Sequence, residues 1–258
     1  MSVMSITIFR LLIHYSNNVN KIYGGKEMSY PFSNTSLVKD IVNEMPRSAD
    51  IFKRNRIDFC CGGNIPLIDA ANEKSVNIEE LTQELVHLYE SGENSKENLE
   101  VWTDSASPEI IEHIQNRYHL PLTEELAQLS PYVTKVSKVH GAGHPELIKV
   151  YELFYELKKE LLEHTAKEDA EVFPMLQQLD NPNVKDRDEI IQYITGLEKE
   201  HDHAGSILKE LREVTSDFTP PIDACGTYRL VYKRLEMLES ETFMHIHLEN
   251  NILFPRYI

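Results

Sequence analysis

The sequence predicts an all-α protein: an up-down four-helix bundle preceded by a small helical N-terminal domain. Three observations carry this. Four long segments place apolar residues at three- and four-residue spacing, the stripe of an amphipathic helix. A motif recurs: HTAKEDAEVFP, from His164 to Pro174, becomes HIHLENNILFP, from His245 to Pro255, with His, Glu, Phe and Pro each displaced by 81 residues. The 258 residues leave room for one bundle and one small module.

In chain order, residues 1–27 stand apart as an extension. The run from Val3 to Tyr15 is apolar but carries Arg10 and His14, and no small-residue cleavage site follows, so it does not read as a signal peptide. The GGKE before Met28 is what a purine-rich ribosome-binding sequence gives when translated. We expect translation to start at Met28, with 1–27 a misassigned start or a disordered extension; the other reading is a short, poorly packed helix. Residues 28–92 read as a domain of several short helices. Leu37, Val38, Ile41 and Val42 make one amphipathic segment, stopped by Pro46, and Ala49, Ile51 and Phe52 continue after it. Asn77 caps a helix through Leu81, Leu85 and Leu88, with Glu79 and Glu80 in its first turn. The polar stretch from Ser91 to Lys96 leads into a linker over 93–107.

The bundle is expected over 108–258, with helices at roughly 108–142, 146–172, 187–214 and 226–253. Ser107 as N-cap and Pro108 at the first helical position start the first helix. Its stripe is His119, Leu122, Leu126, Leu129, Val133, Val136 and His140. The second carries Leu147, Val150, Phe154, Leu157 and Leu161 ahead of His164; the third carries Ile190, Ile194, Leu197, His201, Ala204, Leu208 and Leu211. The fourth carries Val231, Leu235, Leu238 and Thr242 ahead of His245. Asp217 to Asp223, with Pro220-Pro221, joins the last two helices, and Cys225 there reads as structural.

In both copies of the repeat, His and Glu lie four residues apart on the inner stripe and so share one face. An ionised carboxylate in a core costs several kcal/mol unless paired or coordinated. Two of them beside several histidines, with no Lys or Arg on these stripes, point to bound cations. A lone histidine on an apolar face is more often a hydrogen-bonded core residue, but repetition over four helices, twice with Glu, favours metal. Alternating helix directions bring His119, His164, His201 and His245 to one level, about 15–20 Å from one end of the bundle. His140 lies about 30 Å further along a continuous first helix, at the opposite end. A kink at Pro121 or Pro131 would keep it a weaker candidate.

The inventory is then His119, His164, Glu168, His201, His245 and Glu249. Four imidazoles and two carboxylates exceed one tetrahedral zinc. They suit two six-coordinate ions, each with two histidines, two bridging carboxylates and one oxygen bridge, leaving about one open position per metal. Ligation without thiolate favours iron or manganese over copper or zinc, and ligand type does not separate those two. Glu200 is a weaker candidate, either a base skirting the site or a solvated charge. His203 and His247, about 200° round the helix from a ligand, are expected in solvent. His14, His87 and His113 fit no partner pattern.

These motifs carry a resemblance. The paired HxxxExxxxxP, KEHDHAG around His201, RYH at His119 and the segment Ile57-Asp58-Phe59-Cys60-Cys61-Gly62-Gly63 resemble the di-iron family that repairs iron–sulfur clusters, the ScdA/YtfE type. The resemblance covers about residues 30–258. It implies a hemerythrin-like bundle behind a small dicysteine domain, and two non-heme iron ions per chain, oxo- and carboxylate-bridged, on the six ligands above. It also implies a cytoplasmic homodimer that restores damaged iron–sulfur proteins after attack by nitric oxide or peroxide. No classical enzyme activity is expected beyond nitric oxide reduction at the di-iron site, and whether that or iron donation dominates stays open. The alternative is a hemerythrin-type carrier or sensor of oxygen or nitric oxide, which needs no thiol pair. A ferritin-like oxidase fits less well, because such sites use Glu-x-x-His and more carboxylates.

Cys60 and Cys61 are read as a thiol relay, handling iron or nitrosyl groups for a client. Adjacent Cα atoms lie about 3.8 Å apart, so a disulfide between them would be strained. Pro66 marks a helix start, where thiols have a lowered pKa. The plain alternative is two small buried hydrophobes. Three cysteines in all argue against a secreted disulfide scaffold and fit a reducing cytosol. The net charge of −16 argues against nucleic acid and anionic membranes as partners, and no stretch approaches the roughly 18 apolar residues of a membrane span.

Overall fold

The inner stripes become the core of a four-helix bundle. The computed structural model describes residues 21–23, 26–28, 30–92, 99–179 and 187–257. The readings for residues 1–20 and for 93–98 of the linker lie outside the described residues. Lys21–Tyr23 (β1) and Lys26–Met28 (β2) pair as a two-stranded antiparallel ribbon, which the sequence did not announce.

The small N-terminal domain holds α1 (Val38–Glu44), α2 (Ser48–Arg54), α3 (Leu67–Glu73) and α4 (Ile78–Glu90). Asn77 caps α4 as read, its Oδ1 accepting from Glu79 N at 2.9 Å and Glu80 N at 3.4 Å. α1 packs on α2, and α2 and α3 both pack on α4, burying Ile41, Phe52, Leu67, Leu81 and Leu85. The expected linker is more than a linker: it carries α5 (Glu100–Asp104). Arg256, near the chain end, donates to Trp102 O at 2.7 Å and Ser105 O at 2.6 Å, and the Trp102 ring stacks on His113 at 4.1 Å.

The bundle helices are α6 (Ser107–Ile114) running into α7 (Leu120–His140), α8 (Glu146–Lys167) running into α9 (Phe173–Leu179), α10 (Arg187–Val214) and α11 (Gly226–Leu248). The first N-cap is Ala106, one residue before the Ser107 expected. α8 and α11 each pack between α7 and α10, which closes the four-membered layer. The residues of the four stripes are buried, except Ile190 and His140, which are only partly so.

Three of the four bundle helices contain one wide π turn: Gln115–His119, Glu168–Val172 and Glu249–Leu253. Each closes with a bond five residues back, from Leu120 N to Gln115 O, Phe173 N to Glu168 O and Phe254 N to Glu249 O. The next residue is proline every time: Pro121, Pro174 and Pro255. Proline has no N–H and its ring clashes with the carbonyl four residues earlier, and one extra residue in the preceding turn relieves both. The expected helix end before Pro174 is therefore corrected, because the chain absorbs this proline and stays helical to Leu179. Nor does Pro131 break the first helix, since α7 continues through it to His140.

Candidate metal centre

The wide turns sit where the expected ligands are. His119 is the last residue of the first, while Glu168 and Glu249 open the other two. A π turn sets the residues after it back by about one helical position, 100°, relative to a regular helix. Residues on both sides of each turn thus keep facing the core, and the ligands project from the widened backbone.

The six residues form two sets that share both carboxylates: His119, Glu168, His245 and Glu249, and His164, Glu168, His201 and Glu249, the ligating atoms within each set lying within 4.8 Å of one another. Glu168 Oε1 is 3.1 Å from His164 Nε2 and Oε2 is 3.5 Å from His119 Nε2. Glu249 Oε1 is 2.9 Å from His245 Nε2 and Oε2 is 3.2 Å from His201 Nε2. All six side chains are buried. Each carboxylate thus spans from one histidine pair to the other.

Whether cations fit can be judged from the groups themselves. Both oxygens of Glu168 and Oε2 of Glu249 are buried without a hydrogen-bond partner, a costly arrangement for ionised carboxylates unless something positive lies between them. The histidines make the same demand. His119 Nδ1 lies 2.9 Å from Asp169 Oδ1, and His164 Nδ1 2.8 Å from Glu200 Oε2. A carboxylate only accepts, so these Nδ1 atoms carry a proton, and it is Nε2 that turns inward and would give its lone pair to a metal once any proton on it is displaced. There Nε2 of His119 faces Nε2 of His245 at 2.9 Å, and Nε2 of His164 faces that of His201 at 2.8 Å. Two nitrogens bound at about 2.1 Å to adjacent positions of one six-coordinate ion are about 3 Å apart. The residues present therefore fit two metal ions.

Without cations the same charges are met by protons. Burial alone would push His119 down, but its hydrogen bonds to Asp169 and Glu249 raise it to about 10. Burial opposes ionisation of Glu249, yet His245, His119 and His201 hold it well below the usual carboxylate range. Metal and protons compete for this cluster.

The outer partners extend the repeat. Asp169 serves His119 and Asn250 Oδ1 serves His201 Nδ1 at 2.8 Å; the two occupy the same place, directly after the glutamate, in the two copies 81 residues apart. Sequence reasoning missed both, although the matched offset was available as a signal. Glu200 is an outer partner rather than a ligand, bonded to His164 and, through Oε1 at 2.6 Å, to Lys167. An apolar cavity of about 230 Å³, lined by Tyr118, Leu122, Met237, Leu238 and Thr242, reaches His245.

The remaining candidates fall elsewhere. His140 lies at the opposite end of the bundle, its Nε2 3.2 Å from Cys225 Sγ. His203 is exposed beside Glu156, as expected. His247 is a correction: it is fully buried. Its Nε2–H donates to Asn43 Oδ1 at 2.8 Å, and its Nδ1 accepts from Asn251 Nδ2 at 3.2 Å. Burial pushes it down to about 4 and keeps it neutral. The N-terminal domain covers the side of α11 that a bundle alone would leave in water.

Cys60 and Cys61 sit in the loop that makes this contact. Asn251 Nδ2 donates to Cys60 O at 2.9 Å, and Asn250 Nδ2 is 3.8 Å from Cys61 Sγ. Both are free thiols, Cys60 buried and Cys61 partly so. The expected lowering of a thiol pKa by a helix start is corrected for Cys60. α3 begins only at Leu67, and the Cys61 hydrogen bond, burial and Asp58 raise the Cys60 thiol well above its ordinary value.

Comparison with known proteins finds matches over both parts of the chain. The hemerythrin HHE cation binding domain matches residues 110–257, and a domain of unknown function, DUF542 or ScdA_N, matches 34–89. The chain is 43% identical over 227 residues to the iron-sulfur cluster repair protein ScdA of Staphylococcus haemolyticus, an alignment covering 87% of this chain and 99% of that protein. It is 35% identical over 215 residues to the iron-sulfur cluster repair protein YtfE of Cronobacter sakazakii, covering 82% and 91%. It is also 33% identical to the probable iron-sulfur cluster repair protein of Haemophilus influenzae over 86% of this chain.

Proposed function

The chain belongs to the hemerythrin-type family of iron–sulfur cluster repair proteins, and on that footing we propose that it restores clusters damaged by oxidative and nitrosative stress. The observation that carries this reading is the pair of buried glutamates shared between two histidine pairs, a set that fits two irons per chain. Held by His119, His164, Glu168, His201, His245 and Glu249, two irons would supply exchangeable metal and electrons to a damaged client. The chain's own residues supply the control. Glu168 and Glu249 hold both positions together, and Asp169, Glu200 and Asn250 fix the imidazole tautomers. Glu200, about a third exposed, links His164 to solvent and gives protons a route to a ligand when metal leaves. Cys60 and Cys61 act as the relay toward the client. The working protein is a cytoplasmic homodimer whose partners are damaged iron–sulfur proteins.

The test is reconstitution. An apo iron–sulfur enzyme incubated anaerobically with iron-loaded protein, sulfide and a thiol reductant should regain activity faster than with equimolar free ferrous iron. Equal rates with and without the protein would overturn iron donation. Reversible binding of oxygen or nitric oxide without any iron transfer would favour the carrier or sensor reading, which the apolar cavity at His245 would also serve.

A further inference from the structure

Asp58, Cys60 and Cys61 form a second group of ligand atoms, all within 4.8 Å of one another, outside the six-residue centre. Cys60 Sγ is 3.7 Å from Cys61 Sγ and 3.5 Å from Asp58 Oδ1. Two thiolates bound at about 2.3 Å to one tetrahedral cation lie about 3.8 Å apart, and a thiolate and a carboxylate oxygen on such an ion lie about 3.5 Å apart. The spacing is that of a ligand set.

The loop holds this spacing firmly. Asp58 Oδ1 accepts from Cys61 N and Gly62 N, both at 3.0 Å, and Lys209 Nζ lies 2.7 Å from Asp58 Oδ2. Gly63 permits the closure, since a Cβ there would meet Phe59 O at 2.3 Å. Charge selects the ion. Two thiolates and a carboxylate carry three negative charges and Lys209 returns one positive, so a divalent cation leaves the group neutral. A cavity of about 230 Å³ bordered by Asp58, Cys60, Lys209 and Phe243 gives room for a fourth ligand. One side chain joins this group to the metal centre: Asn250 accepts from His201 Nδ1 at 2.8 Å and reaches Cys61 Sγ at 3.8 Å.

We propose that Asp58, Cys60 and Cys61 bind one thiophilic divalent cation through two thiolates and one carboxylate, with the fourth position open to the cavity. In the working protein the ion is ferrous iron in transit to a client; that identity rests on the iron-donor reading above, whereas the site itself does not. Binding releases the two thiol protons to solvent and leaves the metal's oxidation state unchanged, so no reductant is consumed.

The probe is cobalt(II), added anaerobically to the full chain with its two irons in place. One further cobalt per chain should bind, with thiolate-to-cobalt absorption in the near ultraviolet and intense tetrahedral bands in the visible. Cys61→Ser should lose most of that absorption. Asp58→Asn keeps an oxygen for the Cys61 and Gly62 amides and should weaken binding by about tenfold or more. Absence of thiolate absorption at excess cobalt, or its persistence in a Cys60→Ser/Cys61→Ser variant, would overturn the site. Should that double variant misfold by circular dichroism, thiol alkylation decides: cobalt must slow it in the wild-type chain and do so less in Asp58→Asn, and equal protection refutes the proposal. A protein that binds the extra cobalt yet fails reconstitution keeps this site and loses the donor reading; the reverse pair of results loses the site alone.

Discussion

Asp169, Glu200 and Asn250 each fix one imidazole, yet none touches the space between the carboxylates, so ligand and partner substitutions should differ in degree. Glu168→Ala and Glu249→Ala each remove an oxygen donor from both histidine pairs and should abolish binding of both irons, read as metal per chain after gel filtration. Asp169→Asn keeps the side chain's size but weakens the hold on His119; iron affinity should fall by about 10- to 100-fold with the fold intact. His119→Ala should lower iron content while His140→Ala, on the far end beside Cys225, leaves it unchanged. The reverse outcome would remove His119 from the centre. At this scale the inner histidines and glutamates were legible because each side chain had to sit on an apolar stripe. The outer partners were not, because Asp169 is exposed and Asn250 partly so, and in sequence both look like ordinary surface polar residues. Only their equal place in the two repeats sets them apart.

The long elements were legible for the reason amphipathic helices usually are: Leu147 through Leu161 or Val231 through Leu238 repeat with the helix and can bury only one face. The wide turns were not, because one inserted residue shifts the pattern by about 100° and two short regular stretches remain on either side. Proline was the available signal, but Pro174 and Pro255 were read as helix ends and Pro121 as a possible kink. Its position directly after the closing residue of all three wide turns makes it the device that widens them. Pro121→Ala restores an N–H and removes the clash with the Arg117 carbonyl, so the turn at Gln115–His119 is free to tighten. Alanine is about 3 kcal/mol better than proline in a helix interior and less so near a start, so the apo protein should melt no lower than wild type. Iron retention should nonetheless drop, because a regular turn swings His119 away from His245. A Pro121→Ala protein that keeps both irons against chelator as well as wild type would show that core packing, not proline, holds the turn open.

At the scale of the whole molecule, the N-terminal domain is seated on the bundle through its dicysteine loop. Phe59 meets Phe243 edge-on at 6.1 Å, Asp58 pairs with Lys209 and Arg56 with Asp217, and His247 lies beneath. The docking was hidden in the sequence because α11 was read for its inner face alone. Phe243, Ile246, His247 and Leu248 are all buried, and a helix end apolar on more than one side is one covered on more than one side. His247 joins the two parts through Asn43 of α1 and Asn251 of the fourth helix, with the Phe59 carbonyl oxygen 3.3 Å from its Nδ1. His247→Ala strands these groups and leaves a hole at the seam, so it should cost about 2–4 kcal/mol in denaturant unfolding. His203→Ala, exposed on α10, should stay within about 0.5 kcal/mol. Neither residue lies in the ligand sets, so both variants should still bind two irons. Loosening the seam should instead show at the thiols, with alkylation of buried Cys60 faster in His247→Ala than in wild type or His203→Ala. Unchanged alkylation together with unchanged stability would mean that the dicysteine loop is held to the bundle by Phe59, Asp58 and the two asparagines without His247.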